Sequence, residues 1–501
     1  DLRRVGRPRW GILTNGHCWR LYDGQARSVA QGFLDIQLLQ ALKQPDLLKR
    51  FVVFFRPQAL RHSQHGSCWL RTTLTDNRRY QERIATAFKQ QACHQVFPAL
   101  ATAVAQAAPT ASEAVVREAS LVLLYRLLFL LYGESRGLLN SGAAGRGNSL
   151  HELVNRVAKT RRRGAMAPGA QHHDWTTIAA LCQDMAHRQP DLGRMGRHIF
   201  SSQRMPLLDT VACSDETVAT VLMGLCFTRQ GEPIDYADLA IDQLGALYEQ
   251  LMAYKLKHDG DHITMESSRL SRKTASCYYT PRGLVDLILQ ETLAPLVRNR
   301  SAQQLLNLKI CDPAMGTGNF LLGLLDHLSD AVFSATASNH TATISDDQTA
   351  RNLVLQHCIY GVDKDPMAVD LARMALMLHG NSTDVGHLDH HLHCGNSLFG
   401  GWIEDAVKTI CDPNGSTSLQ KLLQSRRRAS AAITRISTAR LPSQANAQHW
   451  HALEKANAPL AALLSAIHGQ HWLAPASTGD RGIVHDLWRG RWGNPVHVVT
   501  G

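Results

Sequence analysis

Residues 308–325 read LKICDPAMGTGNFLLGLL. A short apolar run ends in an acid, a glycine-rich turn follows, and a second apolar run resumes at helical spacing. The pattern predicts strand, turn and helix, with the turn at the carboxyl end of the strand, where ligands bind in open α/β sheets. A triphosphate loop would read GxxxxGK[ST], and this turn has no lysine. A dinucleotide loop would read GxGxxG, and only Gly316 and Gly318 form a GxG pair. Asp312, at the strand end, would repel a pyrophosphate and attract an ammonium. S-adenosylmethionine carries a methionyl ammonium and a sulfonium and has no phosphate, so it suits this turn.

The flanking sequence extends the pattern. CIYGVD (358–363) is a second expected strand, and Pro366 opens the helix PMAVDLARMALML at its favoured first position. An acid at the second strand end, Asp363, suits the hydroxyls of a ribose. Its separation from Gly318 exceeds the ~20 residues of a plain βαβ unit, and the helix TARNLVLQHC (349–358) accounts for the excess. HLHCGNSL (391–398) contains a third strand. The stretch 401–485 reads as mostly helical, and PVHVVTG (495–501) as a strand.

Upstream the periodicity changes. WGILTNGHCWRLYDG (10–24) predicts a hairpin on Asn15-Gly16, a pair that favours a tight type I′ turn. LKRFVVFFRP (48–57) reads as a further strand. Residues from about 80 to 256 read as helical, with AVVREASLVLLYRLLFLLYGES and YADLAIDQLGALYEQLMAYKL the clearest segments. TRRRGAMAPGAQHHDW (160–175) reads as a loop, and MESSRLSRKTASCYYTPRG (265–283) as a polar, basic connector.

The bulk numbers narrow the classes. At 501 residues several domains are expected. Lys plus Arg number 53 against 42 Asp plus Glu, a formal charge of +11, which suits a polyanionic partner, nucleic acid first. Arg161–Arg163, Arg269–Lys273 and Arg426–Arg428 concentrate that charge. The 11 cysteines have no CxxC pair, and Cys226 and Cys358 sit in apolar segments, as reduced buried thiols do. The sequence opens without an apolar signal region, and Arg126 interrupts its longest apolar stretch, so a cytoplasmic protein and no membrane partner are expected. His172, His173 and Asp174, and the run His390, His391, His393, lack a supporting ligand pair at metal spacing, so no metal is expected.

These motifs, in their order, resemble a known family. DPAMGTGNF (312–320) resembles motif I of the DNA adenine-N6 methyltransferases, YYTP (278–281) motif X, YGVDKDP (360–366) motif II and CGNSL (394–398) motif III. The order X, I, II, III is that of the gamma class. RLLFLLYGESRGLL, LGALYEQLMAYKL and WGILTNGHCWRLY resemble the large type IIG restriction-modification enzymes and related BREX- or DISARM-like phage-defence proteins.

The resemblance implies a Rossmann-like α/β methyltransferase sheet preceded by a helical domain and a β-hairpin remnant of a nuclease-like domain. The expected division is 1–65 nuclease-like, 66–266 helical connector and 267–501 methyltransferase, with a helical insertion at 401–485. It implies S-adenosylmethionine as cofactor and double-stranded DNA as partner, with other subunits of a defence system. Tyr279, Thr280 and Pro281 would line the methionine end. Asp312, Pro313, Ala314, Gly316, Gly318, Asn319 and Phe320 would cradle the cofactor. Asp363 would hold the ribose, with Val362 and Lys364 near the adenine. Asn396, where the family often has Asp, would stand between cofactor and target base as the catalytic residue.

The family's motif IV, [DN]PP[YFW], does not occur; GNP at 493–495 is followed by valine and precedes the strand it should follow. A PD…[DE]xK nuclease set is also not found in residues 1–65. The chain is therefore expected to be a fragment, inactive in methyl transfer alone. Alternatives are the same fold acting on RNA or a protein glutamine amide, or a non-catalytic cofactor- and DNA-binding scaffold.

Overall fold

The computed structural model describes residues 9–25, 32–61, 68–139, 149–163, 172–187, 199–259, 262–267, 280–339, 344, 346–382 and 387–397. The chain divides into two compact units, Asp1–His393 and Cys394–Gly501.

The first unit opens with an antiparallel sheet of β1 (Trp10–Thr14), β2 (Cys18–Asp23) and β3 (Phe33–Gln37). The hairpin forms where Asn15-Gly16 predicts it, with a different turn. Only Gly16 takes a positive φ, +85°. The Asn15 Oδ1 instead accepts the backbone N–H groups of His17 and Cys18, an Asx arrangement that the left-handed turn does not need. The stretch expected as a further strand is a helix, α1 (Pro45–Phe55). Pro45 supplies the preferred first residue and Asp46 complements the helix dipole. Leu47, Leu48, Phe51, Phe54 and Phe55 then share one face, and Phe51 and Phe55 pack edge-on against Trp19. A small separate core of Leu21, Ala59, Cys68 and Leu70 seals this part.

The helical region follows. α2 (Trp69–Gln91) runs through a π-helical turn, Ala92–Val96, into α3 (Phe97–Ala107). At its centre lies α4 (Glu113–Ser135), apolar on every side and buried from Ala119 to Gly133. Ser112 caps it by accepting the Val115 N–H. Arg126 lies inside this helix and donates to the carbonyls of Ile199 and Ser201. α5 (Leu150–Arg162) packs against α4, α7 (Asp215–Cys226) packs against α3, α5 and the π-helical turn, and α6 (His173–His187) lies against α5 and α7. Among the described residues no helix is long and apolar enough to cross a membrane.

α8 (Asp242–Met252) ends earlier than its sequence pattern implies. Residues from Tyr254 onward form the antiparallel pair β4 (Tyr254–Asp259) and β5 (His262–Ser267). The alternation of Lys255, Leu256 and Lys257, followed in the sequence by Gly260 and Asp261, carried that signal.

The last part of the first unit is an α/β layer. It comprises α9 (Arg282–Val297), α10 (Ala302–Leu306), β6 (Ile310–Asp312), α11 (Asn319–Asn339), α12 (Asp347–His357), β7 (Ile359–Asp363), α13 (Pro366–Gly380) and β8 (Leu392–Cys394). β6 and β7 pair in parallel, Asp312 opposite Gly361, and β8 lies on the far side of β7. His391, expected on the third strand, instead closes a one-turn helix, Leu388–His391, and stacks on Tyr360 with ring centroids 4.2 Å apart. The expected helical insertion 401–485 and the strand 495–501 lie outside the described residues.

One ionic knot fastens this layer. The Asp326 carboxylate, on α11, takes Arg282 Nη2 at 2.8 Å, Arg351 Nη2 at 3.0 Å and His379 Nε2 at 2.7 Å. These partners come from α9, α12 and α13. Burial alone would raise the Asp326 pKa; the charge and hydrogen bond of His379 and the charges of Arg351 and Arg282 outweigh it and hold the carboxyl well below its usual range. Its stabilising contribution is therefore complete above the unfolded carboxylate pKa of ~3.9 and is lost as pH falls through the lower folded value. Asp326→Ala removes one of the two carboxylates that buried Arg351 meets, leaving only Asp347, and should cost about 3 kcal/mol, read as a lowered midpoint in urea unfolding at pH 7. At a pH near 3 the difference from wild type should shrink. An unchanged midpoint at pH 7 would show that the knot contributes nothing.

Candidate functional site

The glycine turn sits at the end of β6. Asp312 Oδ1 accepts the Ala314 N–H at 3.0 Å, which turns the chain away from the strand. β7 runs two residues further than β6, and Met315 N–H donates to Val362 O at 3.0 Å. Asp363 then spans the two loops. Its Oδ2 accepts Gly316 N–H at 2.8 Å and its Oδ1 accepts Asp365 N–H at 2.9 Å. Each oxygen keeps a further lone pair for a ligand.

Gly316 and Gly318 both take positive φ, +54° and +87°. Gly318 is also pressed against α13: a Cβ there would lie 3.1 Å from Ala372 Cβ and 3.3 Å from its Cα. Glycine is thus required twice over, by conformation and by contact.

The other expected residues take defined places. Thr280 O accepts Asn319 Nδ2 at 2.7 Å, which brings the segment before α9 to the first residue of α11. Asn319 Oδ1 is buried with no hydrogen-bond partner among the described residues. Pro281 caps α9, its carbonyl accepting the N–H groups of Leu284 and Val285. Pro313 and Ala314 are exposed, Phe320 is half-buried against the core, and Lys364 is exposed beside Asp363. Tyr279 lies outside the described residues. Asn396 belongs to the second unit.

The electrostatics favour a cation. Burial raises the Asp312 pKa; the Ala314 hydrogen bond opposes this and the Asp363 charge adds to it. A positive group beside Asp312 would relieve that cost, whereas a phosphate would increase it.

Several residues that position the site escaped the sequence reading. Asp365, not Asp363, caps α13, its Oδ1 accepting Met367 N–H at 3.0 Å. Its place before Pro366 was a legible N-cap signal. The Asp365 Oδ2 accepts the hydroxyl of Tyr248, from α8. Thr317 lies under Gly245, also on α8. Arg204 bridges Glu118 of α4 at 2.5 Å and Asp370 of α13 at 3.1 Å. Local spacing carries no trace of these long-range contacts.

Residues 239–410 match the family model N-6 DNA Methylase. Among curated proteins, the type II restriction enzyme and methyltransferase RM.Eco57I of Escherichia coli is 26% identical over 181 residues, 31% of this chain and 18% of the relative. The adenine-specific methyltransferase PglX of Streptomyces coelicolor is 28% identical over 215 residues, 41% of this chain and 16% of the relative. The chain thus spans less than a fifth of the length of these relatives. Among solved structures, the Type IIL restriction-modification enzyme MmeI in complex with DNA aligns at 13% identity and a TM-score of 0.36, covering 62% of this chain and 41% of that one.

Gly318→Ala should destabilise the chain by roughly 1–3 kcal/mol, because it combines a strained φ with a clash against α13. Denaturant unfolding checks this; wild-type stability would show that the turn relaxes freely.

Proposed function

We propose that this chain contains the cofactor-binding part of an S-adenosylmethionine-dependent DNA adenine-N6 methyltransferase from a restriction-modification or phage-defence system. The observation that carries the reading is the pair of acids at adjacent strand ends, Asp312 and Asp363, closed over by a glycine turn within the segment that matches N-6 DNA methylases. The donor set fits the cofactor: Asp312 and the unpartnered Asn319 Oδ1 are acceptors for an ammonium, and Asp363 for ribose hydroxyls. The sheet β6–β7–β8 is read as the start of a Rossmann-like fold, and the residues before it as a nuclease-like segment and a helical connector.

When bound, S-adenosylmethionine supplies an electrophilic methyl group on its sulfonium. This chain's residues bind and orient it. Asp312 holds the methionyl ammonium, Thr280 and Pro281 line the methionine end, and Asp363 fixes the ribose with Val362 and Lys364 near the adenine. Asn396 is assigned to the target-base side, where its amide oxygen would accept a hydrogen of the adenine amine.

Calorimetry with S-adenosylmethionine and NAD tests the reading. The methyl donor should bind and NAD should not; tighter binding of NAD would sink it. Asp312→Ala should abolish measurable binding. Affinity should also fall as pH drops through the raised Asp312 pKa, because only the ionised carboxylate attracts the ammonium.

The charge of +11 supports double-stranded DNA as partner. Arg161–Arg163 are exposed around the end of α5, while Arg269–Lys273 and Arg426–Arg428 lie outside the described residues. Binding through such clusters should be independent of sequence and should release counterions. With about three phosphate contacts, affinity should drop about fortyfold between about 50 and 200 mM salt. A fluorescence-anisotropy titration showing no salt dependence would contradict this.

A further inference from the structure

We propose that helix α8 is a structural wall of the cofactor site, and that Tyr248 and Gly245 are positioning residues that set its two loops against each other. The inference rests on the reading of Asp312 and Asp363 as cofactor ligands, and adds a layer behind them.

Three observations place α8 there. Tyr248 is buried, 2% exposed, and its hydroxyl donates to Asp365 Oδ2. Asp365 then relays that contact: its Oδ1 caps α13, and its N–H donates to Asp363 Oδ1, whose other oxygen holds Gly316 N–H. The path from Tyr248 to the glycine turn is thus an unbroken chain of hydrogen bonds through the ribose-side acid.

Gly245 lies one helical turn before Tyr248. A Cβ on it would fall 2.2 Å from Thr317 Oγ1 and 3.1 Å from Thr317 Cβ, so the helix touches the glycine turn itself. Residues 245 and 248 share a face of the helix. One rigid face therefore touches the turn after β6 at Thr317 and the turn after β7 at Asp365. The match to the N-6 DNA Methylase model begins at 239 and includes this helix.

The alternative is that these contacts only stabilise packing. Tyr125 provides the control. It is fully buried on α4, and its hydroxyl also meets α8, donating to Leu244 O at 2.9 Å. Its hydroxyl leads to the backbone of α8 and to neither cofactor loop, while its ring, which packs edge-on against Tyr248, is retained in Tyr125→Phe.

The test uses the full 501-residue chain, calorimetry with S-adenosylmethionine, and thermal unfolding without it. Tyr248→Phe keeps the ring and removes only the hydroxyl. It should weaken binding about tenfold, the scale of one hydrogen bond to a charged acceptor. Tyr125→Phe, which loses a comparable buried bond, should bind as wild type does. Gly245→Ala should also weaken binding, and Gly245→Ala with Thr317→Ala should recover most of it, because the colliding hydroxyl and methyl are gone. That size swap decides the matter independently if Tyr248→Phe fails to fold.

The proposal is overturned if Tyr248→Phe binds as tightly as wild type, if both tyrosine variants weaken binding equally, or if the Gly245 variants show no loss or no recovery. Those outcomes leave the methyltransferase reading intact. A wild-type chain that binds no S-adenosylmethionine overturns that reading, and this inference falls with it.

Discussion

Asp326 is the residue on which the α/β layer depends. A buried carboxylate without partners would be expensive, and here two arginines and a histidine from three other helices converge on it. The arrangement does more than neutralise a charge. Arg282 stands two residues after Thr280, and Asn319, at the start of the helix that carries Asp326, hydrogen-bonds Thr280 O. The segment before α9 is thereby fixed to the first turn of α11 at one end and to its middle at the other. Sheet, loop and helix hold their relation through this contact, which the two arginines keep charged on their side.

The glycine turn inherits that rigidity from two sides. Ala372 of α13 presses on Gly318, and Thr317 packs beneath Gly245 of α8. Burial chiefly raises the Asp312 pKa, and the neighbouring charge of Asp363 adds to it. The fold tolerates this because Asp363 is anchored by two backbone N–H groups, leaving Asp312 as the acid whose charge is least compensated. Asp312 therefore holds a charge that its burial leaves costly within a rigid frame.

Much of this was legible in residues 308–382. Alternating apolar runs, the GxG turn and Pro366 gave strands, turn and helices close to their observed places, because each signal is local. The failures were of two kinds. LKRFVVFFRP is rich in β-branched and aromatic residues, yet Pro45 and the spacing of Leu47, Leu48, Phe51, Phe54 and Phe55 favour a helix with one face against Trp19. Composition misled there, and periodicity would have corrected it. Tyr248, Gly245, Arg204 and Asp370 were invisible for a different reason. Their roles come from contacts more than a hundred residues apart in the case of Tyr248 with Asp365 and Arg204 with Asp370, and no window of sequence contains both partners.

Arg126 has a consequence of another sort. It is buried in an apolar helix and satisfied by the carbonyls of Ile199 and Ser201, with burial lowering its pKa. The N-terminal sheet instead uses charge pairs nearer the surface, Arg9 with Asp23 and Arg20 with Asp35. Dissolved ions screen the second kind of contact and scarcely reach the first. Raised salt therefore weakens these two ion pairs of the sheet while leaving the contacts of Arg126 as they were.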